Sequence, residues 1–222
     1  MDTKSSKEII SSFFKDKGFV STSSKRLFFQ DCGFYLIIVE IIPVWGNLGL
    51  LLNVGVMHLW STYYGIVYNH PKDGCQRIHV LDHPLGALMF DNPNADSILN
   101  QLMVRAMKEI NEYRELRNFS VFKKEMEIAK DHLATIHPGY EKKDLSIAIS
   151  HMFSGEASKA SEILHTAYTD CQTCEVEHRL FEKCGDIESF QETLLDIVNN
   201  CRKMLSKRYR VKLEPITYLW NS

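Results

Sequence analysis

The sequence lacks an excess of charge of either sign: 26 lysines and arginines against 28 aspartates and glutamates leave a formal net charge of −2. No long-range field therefore draws the chain to nucleic acid or to an anionic membrane, and such binding would need a local patch. It lacks a long apolar run. The oiliest stretch, FYLIIVEIIPVWGNLGLLLNVGVMHLW at 34–60, is broken by Glu40, Pro43, Gly46, Asn47 and Asn53, short of the roughly 20 apolar residues that a spanning helix needs. The N-terminal MDTKSSKEIISSFFKDKGF has neither the apolar stretch nor the small-residue cleavage site of a secretory signal. A cytoplasmic location with no membrane association is the expectation. Also missing are Gly-x-Ser-x-Gly, Gly-x-x-x-x-Gly-Lys-Ser/Thr, Gly-x-Gly-x-x-Gly, His-Glu-x-x-His and His-x-Glu, the signatures of standard hydrolases, nucleotide binders, metalloproteases and deaminases.

What is present is material for a core. Of 222 residues, 45% are hydrophobic and 11% aromatic, enough for one large domain or two small ones. In a reducing compartment the cysteines Cys32, Cys75, Cys171, Cys174, Cys184 and Cys201 are expected as thiols or metal ligands, not disulfides.

Periodicity sets the organisation. Ile9, Ile10, Phe13 and Phe14 predict a short amphipathic helix closed at Lys17-Gly18, because glycine takes positive φ without strain. Segments 26–30, 34–42 and 48–60 read as strands of an antiparallel meander with Gly46-Asn47 as a turn, and 76–81 predicts one further strand. In the third run Leu52, Val54 and Val56 share an apolar face while Asn53, Gly55 and Met57 share a mixed one, so a helix should cover the former. From Ala95 the period changes to that of a helix, with Ile98, Leu99, Leu102, Met103, Ala106, Ile110 and Tyr113 on one stripe. Beyond Asn118 the pattern is helical over 121–136, 143–153, 158–168, 176–183 and 187–209. Ala148, Ala157 and Ala160 would let two of these helices pack closely as a hairpin, and no second copy recurs at a fixed period. The reading is an α+β fold: residues 1–118 form an antiparallel sheet of three or four strands packed on helices, and residues 119–222 form a helical bundle or helical-hairpin domain.

Three short elements carry a resemblance: FFKDKGF at 13–19, RLFFQ at 26–30 and NVGV at 53–56. Together they resemble a bacterial family of domains of unknown function over roughly residues 8–110. The resemblance implies a soluble bacterial α+β protein, and the family offers no reaction whose residues could be carried over.

Two clusters could do chemistry. The segment CQTCEVEHRLFEKC at 171–184 holds Cys171, Cys174, His178 and Cys184, a Cys₃His set with the Cys-x-x-Cys opening of structural zinc sites. Its histidine comes one position early for a zinc knuckle, and RLFEK favours a helix on which Cys184 would stand well away from the other three. No cofactor is expected, and zinc is the one this set would take. The segment RIHVLDH at 77–83 holds Arg77, His79, Asp82 and His83. A histidine beside a carboxylate can act as an oriented base and an arginine can clamp an anion. On a continuous strand Arg77 and His79 would share a face. A third feature, RKMLSKRYRVK at 202–212, gathers Arg202, Lys203, Lys207, Arg208, Arg210 and Lys212 around Tyr209. Cations at a helix C-terminus offset its dipole, so nucleic acid is not expected there. Trp45, Trp60 and Trp220 read as core. The functional expectation is a non-enzymatic, immunity-like module that binds another protein. The alternatives are an enzyme acting on an anionic substrate through 77–83, and a zinc-stabilised helical module.

Overall fold

In a computed structural model the described residues are 2–60, 66–68, 75–80, 86–136, 144–169 and 175–220. The first helix, α1 (Thr3–Lys15), begins at Asp2, whose carboxylate accepts the Ser5 N–H at 2.7 Å while the Ser5 hydroxyl receives the Asp2 N–H at 3.1 Å. That reciprocal pair satisfies amides that have no partner within the helix. The helix closes as its sequence requires: Gly18 takes φ of 85°, its N–H bonds to Lys15 O at 3.0 Å, and the Phe19 N–H bonds to Phe14 O at 3.0 Å. The rings of Phe14 and Phe19 then meet at 5.4 Å, the apolar contact that accompanies this closure.

The sheet is antiparallel, in the order β1 (Val20–Ser21), β2 (Leu27–Asp31), β3 (Tyr35–Val44), β4 (Gly49–His58), β5 (Cys75–Ile78), with β6 (Leu88–Met89) also paired to β4. It exceeds the three or four strands expected, because two-residue strands such as β1 and β6 carry too little alternation to be read. Gly46 and Asn47 turn β3 into β4 with φ of 65° and 76°, the positive values that a tight hairpin demands. β5 and β6 lie end to end on one edge of β4. Gly55 to Leu52 pair with Cys75 to Ile78, and Leu50 and Gly49 then pair with Leu88 and Met89. The Val80 N–H bonds to Gly86 O at 3.0 Å between the two short strands.

Register assigns the faces. Tyr35, Ile37, Val39 and Ile41 stand opposite His58, Val56, Val54 and Leu52 on one face. That face is covered by α1, through Phe14 on Phe28 at 5.7 Å, and by α2 (Ala95–Arg114), whose Tyr113 carbonyl accepts the Tyr35 hydroxyl at 2.7 Å. The other face carries Leu36, Ile38, Glu40, Asn53 and Met57, and here both long strands are more buried than their mixed pattern suggests: Asn53 is 6% exposed and Met57 is fully buried.

The remaining helices are α3 (Phe119–Ile136), α4 (Asp144–Phe153), α5 (Ala157–Thr169), α6 (Glu175–Phe181) and α7 (Ile187–Tyr209). α4 and α5 form the close hairpin that the alanines predict, with Ala148 and Ala160 fully buried and Gly155 turning between them at φ of 78°. Aromatic rings tie the helices to the sheet. Phe34 stacks on Trp60 at 5.3 Å and meets Phe122 at 5.8 Å and Trp220 at 4.8 Å, while Trp60 Nε1–H donates to Ser146 Oγ at 3.1 Å. Buried residues on both sides of residue 118, from Ile10 to Leu219, form one contiguous cluster. After α7 the chain runs back along it: Asn199 exchanges two bonds with Ile216, at 2.9 and 2.8 Å, and Ser206 Oγ accepts the Leu213 N–H at 3.0 Å. Among the described residues no helix is long and apolar enough to cross a membrane.

Candidate functional site

A cleft of about 360 Å³ opens between the β5–β6 edge and the N-terminal half of α2. Its floor is apolar, made by Leu88 from β6 and by Ile98 and Leu102 one turn apart on α2. Its walls are polar: His79, Asn92, Asn94, Ser97, Gln101 and Arg105. The helical period explains the α2 contribution, since Ser97, Gln101 and Arg105 recur every four residues and share one flank. Arg105 is fixed by an Nη1–H bond to the His79 carbonyl at 2.9 Å, which draws the end of β5 to the helix. Gly86 shapes the other side. It sits at φ of 66°, and a Cβ there would lie 2.2 Å from His79 Nδ1, so the imidazole fills space that only glycine leaves. Asn94, the residue before the helix, makes no side-chain cap bond, and its own N–H bonds to Asn92 Oδ1 at 2.8 Å.

Of the residues proposed from sequence at 77–83, this cleft takes in His79 alone. β5 ends at Ile78, so alternation does not extend to His79: Arg77 stands opposite Asn53 on the other face of the sheet, exposed, while His79 turns toward α2. Asp82 and His83 lie outside the described residues, as do Cys171 and Cys174. The rest of the proposed zinc set separates. His178 is half-exposed on α6, 3.8 Å from Glu182 Oε1, whereas Cys184 is buried in the turn that follows, its thiol 3.5 Å from Leu180 O. Burial pushes the Cys184 thiol up, and the same cause raises Cys32, and Cys201 to about 11, so all three are neutral thiols at physiological pH. Among the described residues no group of three His, Cys, Asp or Glu side chains comes together to hold a metal ion.

The basic cluster at 202–212 is partly structural. Arg202 is 2% exposed, and every branch of its guanidinium is used: Nε–H to Glu214 O at 2.6 Å, Nη1–H to Asp31 Oδ1 at 2.8 Å and Gly33 O at 2.6 Å, Nη2–H to Asp31 Oδ2 at 2.5 Å. Tyr209 packs on Phe29 at 5.5 Å, and Lys212 pairs with Glu214 at 2.6 Å. Trp60 and Trp220 lie in the aromatic core, as expected; nothing is described of the Trp45 side chain.

Sequence reasoning missed two features. Arg105 carried no signal beyond its four-residue spacing from Gln101. His151 in the last turn of α4 meets Glu156 at the start of α5, Nδ1 to Oε2 at 2.5 Å, with Lys159 3.2 Å from the same oxygen. The His151 hydrogen bond, then Lys159, holds the Glu156 carboxyl below its ordinary value. A carboxylate at the start of α5 suits that helix's dipole, and its bond to the His151 ring staples the hairpin. The legible signal was a His-x₄-Glu spacing around Ser154-Gly155.

No family model matches the chain, and no curated protein or solved structure is significantly similar to it.

Proposed function

We propose that this protein is a binding module, of the immunity-like kind, that recognises another protein through the cleft between α2 and the β5–β6 edge. The observation that supports this reading is the chemistry of the cleft wall: Asn92, Asn94, Ser97 and Gln101 are neutral and both donate and accept hydrogen bonds. Such groups suit the alternating N–H and C=O of a polypeptide segment, and the floor of Leu88, Ile98 and Leu102 accepts an apolar side chain. Beyond the mouth, Val104 on the outer flank of α2 is 66% exposed and extends the apolar contact area.

A photo-crosslinking residue at Gln101, used in cells of the native host, should capture one protein partner, and the same residue at the exposed Lys108 should not. Ser97→Arg with Gln101→Arg, which fills the cleft with charge, should abolish that capture while the fold persists by circular dichroism. Capture that survives the double substitution would overturn the proposal. A second reading has one observation in its favour, the presence of His79 and Arg105 in one cleft: an enzyme acting on an anionic substrate, Arg105 holding the anion and His79 moving the proton. Turnover of a phosphate or carboxylate ester by purified protein, lost in His79→Ala, would establish that reading and displace the first.

A further inference from the structure

The sheet face opposite α2 carries a polar row that the cleft does not use. Glu40 on β3, Asn53 on β4 and Arg77 on β5 are consecutive cross-strand neighbours in register, so their side chains project on the same side. Asn53 is 6% exposed, and its Oδ1 is buried with no hydrogen-bond partner. A buried acceptor left unpaired is costly and uncommon in a folded chain. Glu40, half-buried, accepts the Tyr68 hydroxyl on Oε2 at 3.0 Å, which leaves Oε1 with acceptor capacity. Arg77 is exposed and makes no hydrogen bond or ion pair among the described residues. Beyond this row toward the β3–β4 turn, Ile42 and Val44 are only half-buried.

We propose that this row is a binding site for a small zwitterion, a free α-amino acid. Asn53 Oδ1 and Glu40 Oε1 are adjacent acceptors that want N–H donors, and an ammonium group supplies three. Arg77, one strand further, presents a fork of donors that matches a carboxylate. With strands about 4.8 Å apart, the Glu40 and Arg77 backbones stand roughly 10 Å apart, and the long arginine stem spans the difference to a ligand seated over Asn53. A simple anion would leave the Asn53 and Glu40 acceptors facing negative charge, and a simple cation would leave Arg77 unused. The site is independent of the cleft against α2, so failure of either proposal leaves the other standing.

Isothermal titration calorimetry with the twenty free amino acids at neutral pH tests the assignment. At least one should bind with Kd of about 1 mM or tighter. Its N-acetyl form, which lacks the ammonium, and its methyl ester, which lacks the carboxylate, should each bind about tenfold more weakly or worse. Arg77→Gln should weaken the free acid by a similar factor and leave the ester unchanged. Glu40→Gln should weaken both. Asn53→Leu should abolish binding, and if that variant fails to fold, the Arg77 and Glu40 variants, one on an exposed and one on a half-buried side chain, decide the matter. Absence of binding by every amino acid at about 10 mM, or affinity unchanged in both Glu40→Gln and Arg77→Gln, would overturn the proposal.

Discussion

Under α1 and α2 the sheet presents Tyr35, Ile37, Val39 and Ile41 against Val56, Val54 and Leu52, and its polar atoms there are few: the Tyr35 hydroxyl is handed to the Tyr113 carbonyl, and His58 is stacked on Trp60 at 4.7 Å. The opposite face also buries Leu36, Ile38 and Met57 but sets Asp31, Glu40, Asn53 and Arg77 among them. At one end of that face the polar groups are fully matched, since Arg202 spends its guanidinium on Asp31, Gly33 O and Glu214 O. Two strands along, Asn53 keeps an acceptor without a partner. The lesson is that burial of polar groups has opposite meanings at the two sites. A satisfied buried arginine fixes the packing of α7 and the final segment on the β2–β3 turn, whereas an unsatisfied buried amide costs stability.

Substitutions can break that comparison, starting with the largest effect. Arg202→Leu strips donors from the Gly33 and Glu214 carbonyls and from Asp31, and urea unfolding should show a loss of about 3 kcal/mol, the lower part of the range for a broken buried pair because the half-exposed Asp31 can rehydrate. Gly86→Ala places a methyl group where the His79 ring lies and holds alanine at positive φ. Unfolding should show a loss of about 1–2 kcal/mol, and crosslinking from Gln101 should fall with it. Asn53→Leu acts in the other direction: removal of the orphan acceptor should raise stability by up to about 1 kcal/mol, and a loss of similar size would mean that the amide is paired in solution. The smallest effect concerns pH. Because Glu156 titrates below its ordinary value near 4.5, its contribution is present above the unfolded carboxyl value and is lost as pH falls through the lower folded one. In thermal unfolding Glu156→Gln should therefore lie below the parent at neutrality and lose less stability than the parent between pH 5 and acid, so that the two converge as the carboxyl is protonated.

Much of the backbone was legible in local pattern. The stop at Gly18, the turn at Gly46-Asn47, the switch of period at Ala95 and the span 187–209 follow from glycine conformation and apolar spacing, each set by residues a few positions apart. β1 and β6 were not, since two residues cannot display a period. The candidate sites were legible only in part. His79 was singled out, but for a partnership with Arg77 that the end of β5 at Ile78 prevents; Arg105 was overlooked because nothing local distinguishes it from any exposed helix cation. Arg202 read as one of the cations that offset a helix dipole, and the structure shows it as the most fully bonded side chain of the basic cluster among the described residues.

The amino-acid order by itself determined where the longer helices and strands lie and which stripe of each is apolar, because those preferences act between neighbours along the chain. Only the tertiary structure decided which polar groups meet. Arg202 and Asp31 lie 171 positions apart, and Glu40, Asn53 and Arg77 align only once three strands are in register. Such convergence depends on long-range packing, in which apolar area is interchangeable and geometry is not, so no local pattern announces it.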